Sequence, residues 1–305
     1  MKPMQNMRLP IHSNCGKEKS ERKKSREYFQ TINQQTRPDP VYNSFQVAIQ
    51  YLRYYTGASN GRGHGIHSPF VFDFISRLLN DRQAYPAYEK VEALRRTLLQ
   101  DKRTLEVTDF GAGASTGKKN IRPVSSIARN AAKPPKYGQL LYRIVNYYKP
   151  ATLLELGTSL GITSAYLALA NPAGRLTTLE GSAAVLGLAT ENFNRLGIAN
   201  IKTVEGNFDE MLKPVIRQIP SIDFAFLDGN HREGPTVDYF RQLLEKINPQ
   251  TIIVIDDINW SEGMQKAWQT IKAHPAVRCT VDLFFVGIVF FREEFFEKQH
   301  FSIRF

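Results

Sequence analysis

Three aspartates stand at the ends of short apolar runs: Asp228 after FAFL, and Asp256 with Asp257 after IIVI. If those runs are neighbouring parallel strands, the carboxylates meet at the carboxyl edge of a sheet, where open α/β folds hold their ligands. Three carboxylates at one place repel unless a cation joins them or one takes a proton. A hard divalent cation such as Mg²⁺ accepts oxygen ligands of this kind. Asp228, Asp256 and Asp257 therefore form a candidate metal set. The plainer alternative is that Asp256 or Asp257 caps the next segment while Asp228 orders its own loop.

A second group lies upstream, in LLELGTSLGITS. Gly157 and Gly161 flank a strand-to-helix turn, where missing side chains let a ligand lie against the backbone at the helix N-terminus. Glu180 closes the next apolar run. A carboxylate there can accept hydrogen bonds from both hydroxyls of a ribose. A nicotinamide-binding turn would read G-x-G-x-x-G, whereas here Thr158 and Ser159 occupy the middle and Glu155 precedes the first glycine. A pyrophosphate gains nothing from a carboxylate two residues upstream. A cofactor with a cationic amine and a sulfonium, and no phosphate, suits Glu155-Leu156-Gly157 better, which points to S-adenosylmethionine.

The elements that must position these groups follow from periodicity. Short apolar runs at Thr152–Leu156, Arg175–Leu179, Ile201–Val204, Ile222–Leu227 and Thr251–Ile255 alternate with amphipathic stretches near 161–171, 182–196, 208–218, 235–247 and 261–273. Such alternation predicts a parallel sheet covered on both faces. Val281–Phe285 and Ile288–Phe291 are separated by only two residues, too few for a parallel crossover, so they form an antiparallel hairpin. The fold class is α/β: a doubly wound, mostly parallel, Rossmann-like sheet preceded by a helical N-terminal region. In that region Phe45, Ile49, Leu52 and Tyr55 recur at helical spacing, Ser68-Pro69 reads as N-cap and first residue of a helix, and further helices are expected over Tyr88–Leu99, Val124–Ala132 and Tyr137–Tyr148. Residues 104–120 read as a surface or lid loop. Its Gly111-Ala112-Gly113 mimics a cofactor turn but lacks a following acid-terminated strand. The domain organisation is a flexible basic tail at 1–41, a helical cap region with loops at 42–134, and a cofactor-binding domain at 135–305.

The motifs GQLLYRIVNYYKPATLLELGTSLGITS, TTLEGS, VEGNFDEML, FAFLDGNH and VIDDINW, in this order, resemble the class I S-adenosylmethionine-dependent methyltransferases, in particular the catechol and caffeoyl-CoA O-methyltransferase group. The resemblance covers roughly residues 135–292 and implies a seven-stranded sheet with its last strand antiparallel. It implies that Glu155, Gly157 and Thr158 run along the methionine moiety, that Glu180 holds the ribose, that Gly206, Asn207 and Phe208 border the adenine, and that Asp228 lies near the sulfonium. Gly161 joins this cofactor set through the turn. It also implies a metal held through Asp, Asp and Asn, where this chain has Asp257 in the third place. Three residues after Asp228 the group keeps a lysine that helps deprotonate the acceptor, and here His231 departs from the pattern. An unperturbed imidazole, with a pKa of about 6.5, can still act as base at neutral pH, so His231 and Asp228 are the candidate catalytic residues. The alternative is a loop histidine that never meets substrate.

The chain has 305 residues and a net charge of +11. The charge is uneven: residues 101–150 carry ten Lys/Arg against three Asp/Glu, and residues 151–305 carry fourteen against eighteen. Two cysteines, Cys15 and Cys279, cannot build a disulfide framework or a zinc site, and no apolar stretch reaches the roughly 20 residues a membrane span needs. A cytoplasmic protein is expected, with a small-molecule acceptor, no membrane partner and a homodimer allowed. The expected function is O-methylation of a small-molecule hydroxyl. The alternatives are a methyltransferase acting on RNA or protein, gripped by the basic front half, and a non-catalytic S-adenosylmethionine-binding module. Amino-group methylation of bases uses Asn/Asp-Pro-Pro-aromatic where this chain has Asp228-Gly229-Asn230-His231. Trp260, Phe284, Phe285, Phe290 and Phe291 are candidate walls for a planar acceptor, and Arg62, His64 and His67 a candidate lid.

Overall fold

A computed structural model describes residues 41–109, 118–131 and 133–305. The expected tail up to residue 40 and the glycine-rich stretch 110–117 lie outside the described residues. The expected strand–helix alternation is present with small changes of boundary. The strands are β3 (Thr152–Leu156), β4 (Arg175–Glu180), β5 (Ile201–Glu205), β6 (Ile222–Leu227) and β7 (Ile247–Asp256), and the helices after them are α6 (Ile162–Ala170), α7 (Ala183–Leu196), α8 (Phe208–Gln218), α9 (Glu233–Leu243) and α10 (Glu262–Ala273). The antiparallel hairpin is β8 (Cys279–Asp282) with β9 (Val286–Phe290). Strand β9 also pairs antiparallel with β7.

One strand was not foreseen. β10 (Gln299–Ser302) adds in parallel to β8 and makes the sheet eight-stranded, in the order β10-β8-β9-β7-β6-β3-β4-β5. Its sequence, QHFS, has no apolar run to announce it.

The core shows why the runs are so apolar. Leu153, Phe224, Phe226, Ile252 and Val254 face one side of the sheet, and Leu154, Leu156, Ala225, Leu227, Ile253 and Ile255 face the other. Successive strand side chains alternate between faces, and here helices cover both. One face meets α8, α9 and α10 through Leu212, Phe240 and Trp268. The other meets α6 and α7 together with α5 (Pro135–Tyr148), α3 (Pro86–Gln100) and α2 (Pro69–Phe74) through Ala165, Val185, Leu140, Val91 and Val71. Ser68 caps α2 as expected, its hydroxyl accepting from the Val71 amide, with Pro69 at the first position.

One expectation for the first half holds and one is corrected. The stripe Phe45, Ile49, Leu52, Tyr55 does lie on a helix, α1 (Ser44–Gly57), but α1 buries none of its residues, and Phe45 and Leu52 are 73% and 62% exposed. The side that packs carries Tyr51 and Tyr54, whose rings meet Phe284 at 5.0 and 5.3 Å. The segment read as a loop at 104–120 contains an antiparallel pair, β1 (Thr104–Asp109) with β2 (Lys118–Pro123), leading into α4 (Val124–Ala131). Leu105 and Val107, on the same face of β1, pack on the main core. Among the described residues no helix is long and apolar enough to cross a membrane.

Candidate active site

A cavity of about 310 Å³ opens at the carboxyl ends of β3, β4 and β6, where the strand order reverses. Gly157, Glu180, Asn207, Phe208, Asp228, His231 and Asp257 line it from the sheet side. The pair β1–β2 and helix α4 close the opposite side with Val107, Thr108, Arg122, Ile127 and Asn130. The Thr108 amide donates to Ser182 Oγ at 3.3 Å, which ties β1 to the start of α7.

The glycine turn is built by backbone contacts. Gly157 has φ +99°, and a Cβ placed on it would lie 1.9 Å from the Asp228 carbonyl oxygen. The amides of Gly157 and Thr158 both donate to Leu179 O, and the Asp228 amide to Leu156 O. Strands β3, β4 and β6 thus converge on a backbone too close for any side chain. Gly161, at φ +80°, has Phe193 where its Cβ would go. Gly206, at φ +138°, has Met211 in that place. Glu180 receives the Ser159 amide on Oε2 at 2.9 Å and the Ser182 amide on Oε1 at 3.0 Å, which fixes its carboxylate at the rim. Asn207 caps α8 through the Asp209 amide. Glu155, Thr158, Gly161 and Gly206 stand outside the cavity wall. Glu155 is wholly buried behind the turn, its Oε2 accepting from the Ser164 and Thr178 hydroxyls. Burial pushes its carboxyl up to about 8.

The three aspartates do come together, in an arrangement the sequence did not suggest. Lys133, just ahead of α5, reaches Asp256 Oδ2 at 2.5 Å and Asp257 Oδ1 at 2.7 Å. Asp256 is fully buried and Lys133 nearly so. Burial works against the ammonium, yet the carboxylates of Asp256, Asp257 and Asp228 together hold its pKa well above the ordinary lysine value. Burial, then the neighbouring Asp228 and Asp257, push Asp256 well above the usual carboxylate range. Asp228 stays below that range despite burial, because His231 and Lys133 stabilise its anion. His231 Nε2 lies 3.4 Å from Asp228 Oδ1. The donor atoms that lie within 4.8 Å of one another belong to Asp228, His231 and Asp256, so Asp257 is not in that set.

His231 sits on a constrained loop. Asn230 and His231 both adopt left-handed backbone, at φ +68° and +40°. Such conformations persist for non-glycine residues only where the surroundings enforce them. Here Asn230 Nδ2 donates to Tyr239 Oη at 3.0 Å, Arg232 Nε donates to Asn230 Oδ1 at 2.6 Å, and Tyr239 Oη donates to Asp209 Oδ1 at 2.5 Å.

Other expected groups are elsewhere. Phe284, Phe290 and Phe291 are buried in the core. Trp260 and Phe285 are partly exposed, but neither lines the cavity. Arg62, His64 and His67 are exposed and away from it. Their loop is tied instead to the C-terminal segment, through Ser59 N to Ser302 O and Arg304 N to Ser59 O. The missed residues are those of β1, α4 and Lys133. The alternation in TLEVTD and the strongly basic 101–150 segment were the signals available for them.

A family model described as a methyltransferase domain matches residues 154–258. Catechol O-methyltransferase from Niastella koreensis is 28% identical over 127 residues, covering 41% of this chain and 57% of that protein. The chain thus spans little more than half the length of that relative. A tRNA (guanine-N(7)-)-methyltransferase from Mycoplasma mobile is 26% identical over 147 residues, covering 43% of this chain and 73% of that protein. Among solved structures, the SAH-bound Podospora anserina methyltransferase PaMTH1 superposes with a TM-score of 0.52 at 15% identity, over 74% of this chain and 97% of that one. The sheet order, the glycine turn and the domain match define a Rossmann-like methyltransferase fold. The match to a methyltransferase domain falls on the stretch from β3 to just past β7, the part of the chain that carries the glycine turn and the three aspartates.

Proposed function

We propose that the chain transfers a methyl group from S-adenosylmethionine to the hydroxyl of a small molecule. The observation that carries this reading is the meeting, in one cavity, of the Gly157 turn, the fixed Glu180 carboxylate and the Asp228–His231 pair. Glu180 would receive the ribose hydroxyls, Asn207 and Phe208 would border the base, and Asp228 would face the sulfonium. The acceptor oxygen attacks the methyl carbon in line with the leaving sulfur. The O–C bond forms, the C–S bond breaks, and sulfur keeps the electron pair. Alignment supplies much of the rate. The hydroxyl proton passes to the Asp228–His231 pair, whose carboxylate and imidazole lie 3.4 Å apart and share the charge.

The tRNA-modifying relative and the basic front half keep RNA as the second reading. Incubating the full chain with methyl-tritiated S-adenosylmethionine, a pool of phenols and catechols, and bulk tRNA separates the two. The expected result is label recovered as a methyl ether in the small-molecule fraction. Label confined to tRNA would overturn the proposed acceptor class.

A further inference from the structure

A metal is implied at the carboxylate cluster by the resemblance, so the question is whether the residues present fit one. Asp256 and Asp257 already share a cation, the Lys133 ammonium, at 2.5 and 2.7 Å. Mg²⁺ binds oxygen at about 2.1 Å, so an ion on that same Asp256 oxygen would sit no more than about 4.6 Å from Nζ. The methyl-transfer reading adds a cationic sulfonium beside Asp228. Three positive centres would then crowd three carboxylates, of which Asp256 and Asp257 already face the ammonium at 2.5 and 2.7 Å. With Lys133 in place the residues do not fit a divalent ion.

We propose that Lys133 is an internal replacement for the metal: a covalently attached cation that holds Asp256 and Asp257 in place and leaves the site without divalent-ion binding. The sequence around it is suited to that task. Pro134 and Pro135 follow immediately, and their fixed φ angles stiffen the backbone where the lysine leaves for the cluster. Helix α5 starts at Pro135 and packs by Leu140, Ile144 and Val145 into the main core, which anchors the lysine from behind. A buried ammonium is tolerated only when paired, and here two carboxylates pair it. Lys133 also lines the cavity beside Asp228, His231 and Asp257, so it borders the space the acceptor would occupy. It is a positioning residue: no bond to substrate is assigned to it. The inference rests on the methyl-transfer reading only for its consequence that turnover needs no added metal. Metal binding itself is read separately.

The test titrates Mn²⁺ into the full chain and follows it by electron paramagnetic resonance and calorimetry, with S-adenosylhomocysteine titrated into the same preparations. Wild type is expected to show no saturable Mn²⁺ site, and chelator treatment should leave its melting temperature unchanged. Lys133→Gln removes the charge and keeps a polar group, and should gain one Mn²⁺ per chain, tightened by at least about 100-fold over wild type, as expected for deleting a unit charge so close by. Lys133→Arg keeps the charge and should gain none. A saturable Mn²⁺ site in wild type overturns the proposal, and that result needs no variant to fold. A folded Lys133→Gln that still ignores Mn²⁺ overturns it too. Failure of S-adenosylhomocysteine to bind would instead strike the methyl-transfer reading and leave the Mn²⁺ result standing.

Discussion

Replacing His231 by alanine is expected to lower turnover by about 10²–10⁴, the usual worth of general-base assistance. The cofactor's affinity should stay within a few-fold, because Glu180 and the Gly157 turn are on other loops and do not depend on the imidazole. The effect should appear in kcat more than in KM, since the proton is moved only as the O–C bond forms. The fold should survive the substitution. Asn230, Arg232, Tyr239 and Asp209 hold the loop through their own hydrogen bonds, and none of those bonds uses the His231 ring. Single-turnover measurements on an acceptor that wild type methylates would check this. Near-normal turnover in His231→Ala would remove the base role and shift attention to ionisation by Asp228 alone.

Gly157→Val should be among the most damaging single changes for stability. Its Cβ would fall 1.9 Å from the Asp228 carbonyl oxygen, an atom fixed by the β3–β6 hydrogen bonds. The φ of +99° adds strain for a β-branched residue. Together the overpacking and the strain should cost on the order of 3 kcal/mol or more. The change therefore tests the junction of the strands before it tests the cofactor. Gly187 in α7 is the control, since a Cβ there meets nothing within 4 Å. Gly187→Ala should be neutral or stabilising by roughly 0.5–1 kcal/mol, from helix propensity. Urea unfolding of both variants checks the pair, and a wild-type midpoint for Gly157→Val would contradict the geometry.

Legibility in the sequence followed the strength of local pattern. Strands β3, β6 and the second half of β7 were visible because they are buried on both faces and so read as apolar runs. The Ser68-Pro69 start was visible because capping is local chemistry. The Gly157 and Gly161 turn was visible too, although much of what demands glycine is close packing against Asp228 and Phe193. The misses are non-local. QHFS becomes β10 only because β8 offers an open edge. The α1 stripe has the right period, but no periodicity tells which face of a helix meets the core, and Tyr51 and Tyr54 proved to be the packing side. Lys133 lies 123 residues from Asp256, so only the fold brings them together. Three converging carboxylates announce that a cation is needed, but not that the chain supplies it.

The central claim, that the cavity is built for S-adenosylmethionine, is tested most directly by paired thermal unfolding of the full chain with S-adenosylhomocysteine and with NAD. At one hundred times its dissociation constant a ligand specific for the folded state adds about 2.7 kcal/mol. S-adenosylhomocysteine is expected to raise the melting temperature accordingly and NAD to leave it unchanged. Stabilisation by NAD with no response to S-adenosylhomocysteine would contradict the assignment.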